Sequence, residues 1–137
     1  MSQQPVWQAR LIAVVAAVVA AVVVWLATDV VLDLDVRTPE MGGQPGGPLG
    51  VGMVIGASAV NALLGWGLLA LLEKTAKART TWTAIAVVFT VLSFAGPFLG
   101  EGAPTSSRIS LLCMHLAVAA VYIPLMRRTT SDRVAVG

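Results

Sequence analysis

Four apolar blocks alternate with short polar ones along the chain. The first runs from Leu11 to about Thr28, eighteen uncharged residues held between Arg10 and Asp29. The second runs from Leu49 to Leu72, the third from about Thr81 to Leu99 and the fourth from Ser107 to Met126. A bilayer-spanning helix needs about 20 predominantly apolar residues at about 1.5 Å rise each. All four blocks are of that size. Lipid offers the backbone no hydrogen-bond partner, so each block is predicted as a helix, and four segments of this length cannot close a β-barrel. Short connections, Glu73 to Thr80 and Gly100 to Ser106, make successive helices antiparallel neighbours. The predicted fold class is all-α: an integral membrane four-helix bundle, antiparallel and up-down-up-down, forming one membrane domain over residues 1–137.

Residues at the block ends support these limits. Trp7 and Trp25 flank the first block at positions suited to interfacial aromatics, and Trp82 stands at the entry of the third. Pro48 suits the start of the second block and Glu73-Lys74 its end. Thr105-Ser106-Ser107 offers N-capping oxygens to the fourth. Pro97 and Pro124 lie near helix ends, where a kink costs less. The first block has a rival reading as a cleaved signal peptide, with Arg10 as its positive start. It is longer than the usual signal core of about 7–15 residues and no small-x-small cleavage site follows, so a retained helix is expected. Residues 29–48, rich in Gly and Pro around Glu40-Met41-Gly42-Gly43-Gln44-Pro45-Gly46-Gly47, are expected to form a flexible outer loop. The tail 129–137 is expected to be disordered.

Composition agrees with the blocks. Hydrophobic residues make up 57% and charged residues 12%, against about half and about a quarter in soluble domains. The net charge of +2 is too small to suggest nucleic acid. Seven of the nine basic residues are Arg, and Ala, Val and Gly are abundant, a composition that suggests a bacterium with a GC-rich genome. The single cysteine, Cys113, excludes an internal disulfide and a two-cysteine redox mechanism within this chain. The single histidine, His115, excludes haems held by paired histidines and a multi-histidine metal site. No cofactor and no metal is expected.

Charge also sets the expected orientation, because Lys and Arg near helix ends favour the cytoplasm. With the N-terminus inside, Arg10, Lys74, Lys77, Arg79, Arg127, Arg128 and Arg133 lie inside and only Arg37 and Arg108 outside, seven against two. Both termini are therefore expected in the cytoplasm of a bacterial plasma-membrane protein.

Polar side chains within a membrane are costly and are functional candidates by default. Asn61 lies in the middle of the second block, Thr90 in the middle of the third with Ser93 beside it, and His115 near the middle of the fourth. Helical phase places Arg108, His115 and Tyr122 on one face, as it does Thr83, Thr90 and Pro97, and also Ser58, Asn61 and Gly65. These faces are expected to point into the bundle, with the first helix contributing only Ala and Val. Two readings of the layer stay open. Asn, Ser, Thr and a lone His can act as interhelical glue, at about 0.6–2 kcal/mol each. Alternatively, His115, Asn61, Thr90 and Ser93 form a polar midplane site whose histidine titrates near neutral pH. A remaining reading has His115 bind a cofactor or metal with help from another subunit. Gly52-x-x-x-Gly56, with Gly65, is a candidate for close helix packing, inside the bundle or across a homodimer. Glu101 and Arg108 flank the outer mouth and are candidates to pair. The acidic loop Asp29, Asp33, Asp35 and Glu40 matches no calcium-loop pattern and reads as solvated.

Several stretches together resemble a known pattern: Asp33-Leu34-Asp35-Val36-Arg37, Gly65-Trp66-Gly67-Leu68-Leu69-Ala70, Thr81-Trp82-Thr83, Ser93-Phe94-Ala95-Gly96-Pro97, and Met114-His115-Leu116 with Tyr122-Ile123-Pro124. Over most of its length the chain resembles an actinobacterial family of small four-helix membrane proteins of unknown function. The resemblance implies the same topology and draws attention to His115. It implies no activity.

With no nucleophile–base pair, metal cluster or phosphate loop in view, a non-enzymatic subunit or accessory of an envelope complex is the expected role. Its partners would be the bilayer and either a second copy or another membrane protein. The alternative is a small oligomeric transporter or channel working through His115, Asn61 and Arg108. Four-helix multidrug carriers depend on an embedded Glu in the first helix, and this first helix has no acid.

Overall fold

The structure is a computed structural model and describes residues 4–133. Helix α1 (Val6–Trp25) runs on into a π-helical turn, Leu26–Val31. Helix α2 spans Val51–Leu72, α3 spans Ala78–Ser93, α4 is the short Gly96–Leu99, and α5 spans Thr105–Arg127. Four helical spans are long and apolar enough to cross a bilayer: Val6–Val31, Val51–Leu72, Ala78–Leu99 and Thr105–Arg127. Their outward faces are rich in Val, Leu, Ile and Phe, among them Val19, Leu64, Phe89 and Leu116. Apolar surface on this scale would be untenable in water and is what lipid solvates.

The first span is longer than the uncharged block at both ends. Arg10 lies inside α1, and Asp29 lies within the π turn rather than after the helix. Leu32 N–H donates to Ala27 O, five residues back, at 3.0 Å. The third span breaks at Phe94-Ala95, because Pro97 has no N–H to continue the ladder.

The four spans form a square. α1 packs most extensively on α5 and next on α2, while α3 touches α5 and α2. Ala13, Ala17 and Ala21 form the buried stripe of α1, so its backbone lies close to its neighbours. Two clusters fill the interior. One joins Ala13, Val14 and Ala17 to Ala62, Leu69, Trp82, Tyr122 and Met126. The other joins Ala21 and Val54 to Met114, Val36 and Leu49.

Val36 and Leu49 belong to the connection between α1 and α2, so this segment is not the loose loop its Gly and Pro content suggests. It folds back on itself as a hairpin. Leu49 N–H donates to Val36 O at 2.8 Å and Thr38 N–H to Gly47 O at 2.8 Å. Met41 and Gln44 close the tip with two mutual backbone bonds. Gly42 and Gly43 between them have φ of 56° and 78°, the left-handed pair that a two-residue hairpin turn requires. At its base, Val36 is fully buried, a contribution of about 1.5–3 kcal/mol relative to exposure. The hairpin thus plugs one end of the bundle. Asp33 and Asp35 take φ of 51° and 44° on the way in, conformations that Asp tolerates better than most residues.

The other end carries both described termini. Residues 129–133, expected to be disordered, lie across the α2–α3 connection there. Arg133 N–H donates to Ala76 O at 2.8 Å. The Asp132 carboxylate accepts from Thr80 N–H at 3.0 Å and from the Thr80 hydroxyl. The rest of that predicted tail, 134–137, lies outside the described residues.

Candidate functional site

In the membrane-spanning region the structure disperses the four midplane residues. Asn61 Nδ2 donates to Ala57 O at 2.8 Å, Thr90 Oγ1 to Ala86 O at 2.7 Å and Ser93 Oγ to Thr90 O at 2.6 Å. His115 Nδ1 lies 2.6 Å from Leu111 O. Each polar group is satisfied by a carbonyl of its own helix, usually one turn back, the nearest partner available in an apolar solvent. Asn61 is exposed on the outer surface of α2, and Thr90, Ser93 and His115 are half-buried. No hydrogen bond among the described residues joins two helices through these four side chains.

The polar contacts that do cross the interior come from two aromatics. Trp82 Nε1 donates from α3 to Gly65 O on α2 at 2.8 Å. The Tyr122 hydroxyl donates from α5 to Ala62 O. The rings stand 5.9 Å apart, tilted by 59°. Both bonds need α2 to come close, and Gly65 permits it. A Cβ there would lie 2.7 Å from the Tyr122 oxygen. Gly65 is therefore a packing glycine within the bundle. Gly52 and Gly56 are not: they are exposed, and a Cβ at either meets nothing within 4 Å. Their close-packing motif faces away from the other three helices.

At the hairpin end, Arg108 does not pair with Glu101. Its guanidinium donates to three backbone oxygens, Ala103 at 3.1 Å, Pro97 at 3.0 Å and Gly100 at 2.9 Å, and lies 6.0 Å from the Phe98 ring centre. The rigid fork of donors suits these carbonyls, which the break after α4 leaves without helical partners. Glu101 contributes its main chain, accepting from Glu40 N–H at 2.9 Å. Ser107 likewise does not cap α5, whose N-cap is Pro104 without a side-chain bond. Fully buried, it accepts from Arg37 N–H at 3.0 Å and so latches the hairpin to α5. Trp25 Nε1 and Asp29 Oδ1 hold the same hairpin through Leu49 O and Val36 N–H, each at 2.8 Å. A shallow open depression at the tip is lined by Glu40, Met41, Gly42, Gly43, Gln44, Pro45 and Glu101.

The terminal end holds the buried charge. Arg10, 6% exposed, forms a two-pronged ion pair with Glu73 and donates from Nε to Thr129 Oγ1 at 3.1 Å. One side chain thereby ties α1 to the end of α2 and to the segment after α5. The Arg10 hydrogen bonds hold the Glu73 carboxyl below its ordinary range, against the opposing pull of burial. Asp132 is also lowered, first by the Thr80 hydroxyl and then by the Thr80 N–H, at the start of α3 where free amides favour an anion. Beside them is an open depression lined by Glu73, Thr75, Ala78, Thr129, Thr130, Ser131 and Arg133. Sequence reasoning used Arg10 and Glu73 only as boundary charges. Their partnership leaves no local signal, since they are 63 residues apart.

No group of three or more His, Cys, Asp or Glu among the described residues is placed to hold a metal ion. A family model described as a family of unknown function (DUF6069) matches residues 1–132. No curated protein and no solved structure matches the chain.

Proposed function

We propose that this chain, which belongs to the DUF6069 family, is a non-enzymatic subunit or accessory of a membrane complex in the bacterial envelope. The observation that carries the reading is the filled interior. Trp82, Tyr122, Leu69 and Met126 occupy the space between the helices, and the two aromatics bind the α2 backbone there. A permeation path through one copy would have to displace them. What the bundle offers instead is surface: apolar helix faces, including the outward Gly52 and Gly56 that allow a neighbouring helix close approach. That helix would come from a second copy or another membrane protein. The charge asymmetry supports a plasma-membrane orientation with both termini in the cytoplasm.

Purification in gentle detergent, with crosslinking before extraction, tests the role. A stoichiometric membrane partner or a defined homo-oligomer is expected, and a lone monomer under all conditions overturns it. Flux assays in liposomes address the transporter reading. Solute flux by the wild type that disappears in His115→Ala would replace the present proposal.

A further inference from the structure

We infer that the terminal end of the bundle is a binding surface for the phosphate headgroup of an anionic phospholipid, seated in the depression between the α2–α3 connection and residues 129–133. The inference is independent of the subunit role.

Three observations carry it. The first is the separation of charge along the molecule. The terminal end bears seven cations, Arg10, Lys74, Lys77, Arg79, Arg127, Arg128 and Arg133, and two acids, Glu73 and Asp132, a formal +5. The hairpin end bears Arg37 and Arg108 against Asp29, Asp33, Asp35, Glu40 and Glu101, a formal −3, and the two ends sum to the net +2. The second is that both terminal acids are already engaged. Glu73 is taken by Arg10 and Asp132 by Thr80. Among the described residues, neither forms an ion pair with Lys74, Lys77, Arg127 or Arg128, all four exposed. Arg79 adds a buried Nε with no partner among the described residues. The third is shape. The depression is lined by Thr75, Thr129, Thr130, Ser131 and Arg133 together with Glu73, whose carboxylate is paired with Arg10, and it lies next in the chain to Lys74 and to Arg128. Thr75 and Thr129 spend their hydroxyl hydrogens on Leu72 O and Met126 O, so the donors the hollow offers to phosphate oxygens are the Arg133 guanidinium and the Ser131 hydroxyl, with the Lys74 and Arg128 charges beside them.

Position selects the lipid as the source of that phosphate. The hollow lies where α2 and α5 end, at the depth a headgroup occupies when the four spans cross the membrane. Clustered Lys and Arg at that depth attract anionic lipid by about 1 kcal/mol each, or about fivefold in affinity.

The test is native mass spectrometry of the full chain in detergent, with phosphatidylglycerol or phosphatidylcholine added at equal concentration. Preferential retention of phosphatidylglycerol is expected, weakening about fivefold in Arg133→Gln and again in Lys74→Gln/Lys77→Gln, and unchanged in Arg37→Gln at the opposite end. Tryptophan fluorescence and monodisperse elution confirm that each variant is folded. A variant that fails this check is replaced by Arg127→Gln/Arg128→Gln, for which the same loss is expected. Equal retention of the two lipids, or equal loss in Arg37→Gln, overturns the inference. So does displacement of the bound lipid by inorganic phosphate at matched concentration, which would reassign the hollow to a soluble anion.

Discussion

Substituting Gly65 by Ala tests whether the two aromatics organise the bundle. The added methyl would lie 2.7 Å from the Tyr122 oxygen and 3.1 Å from Cε1, so the ring must move. Inserting a carbon into a packed interior costs about 1–3 kcal/mol. The displaced hydroxyl also loses its bond to Ala62 O, worth about 0.6–1.7 kcal/mol between membrane helices. Ala favours a helix over Gly by about 1 kcal/mol, which works in the opposite direction. The net expectation is a loss of about 1–4 kcal/mol, by the combination of these three contributions. Reversible unfolding in bicelles, followed by tryptophan fluorescence, measures it. Tyr122→Phe removes the atom nearest the new methyl, so Gly65→Ala/Tyr122→Phe should be less destabilised than the sum of the single variants, a coupling of about 1 kcal/mol. A Gly65→Ala variant within about 0.5 kcal/mol of wild type, or strict additivity, would refute the close approach.

Three further outcomes are expected. Because the folded Glu73 carboxyl titrates below its ordinary value of 4.5, its stabilisation is complete above that value and is lost as pH falls through the folded one. The thermal midpoint of the wild type should therefore drop in acid, and Glu73→Gln should lower the neutral-pH midpoint and flatten the dependence; parallel curves would contradict this. Ser107→Ala strips the buried acceptor from Arg37 N–H, at about 1–3 kcal/mol, and should speed amide exchange across residues 36–49 while sparing α2. Gly52→Leu and Gly56→Leu should not destabilise the isolated bundle and should gain up to about 1 kcal/mol each from helix propensity, since neither side chain meets the other helices; a loss in bicelle unfolding would contradict this.

The helices were legible because a bilayer demands long apolar runs, and those runs are in the chain. Which face of each helix turns inward was not legible. Lipid is as apolar as the bundle interior, so hydrophobicity carries no contrast between them. Asn61 was expected inside from its polarity and sits outside, satisfied by Ala57 O. Trp82 stands in the sequence only as the entry to the third apolar block, yet it is 1% exposed, in the core. Tyr122 stands out in the sequence for sharing a phase with His115 and for the Tyr122-Ile123-Pro124 stretch, neither of which points to its bond with Ala62 O. The hairpin did have a signal: Gly42-Gly43 is the dipeptide favoured in a two-residue turn. It was masked by the surrounding Gly and Pro, which read as loop. Ser107 was recognised as a hydrogen-bonding residue but assigned to its own helix, because a partner 70 residues away cannot be read from spacing.

The most extensive helix contact joins α1 to α5, the earliest and the latest made of the four spans. Each helix can insert on its own, yet the square closes only once the fourth span has been made. Until then the alanine stripe of α1 lacks its main neighbour, and Arg10 lacks Thr129. The hairpin waits as well, since its latch, Ser107, belongs to α5. Translation that stops short of the fourth span therefore yields an open, incompletely plugged intermediate.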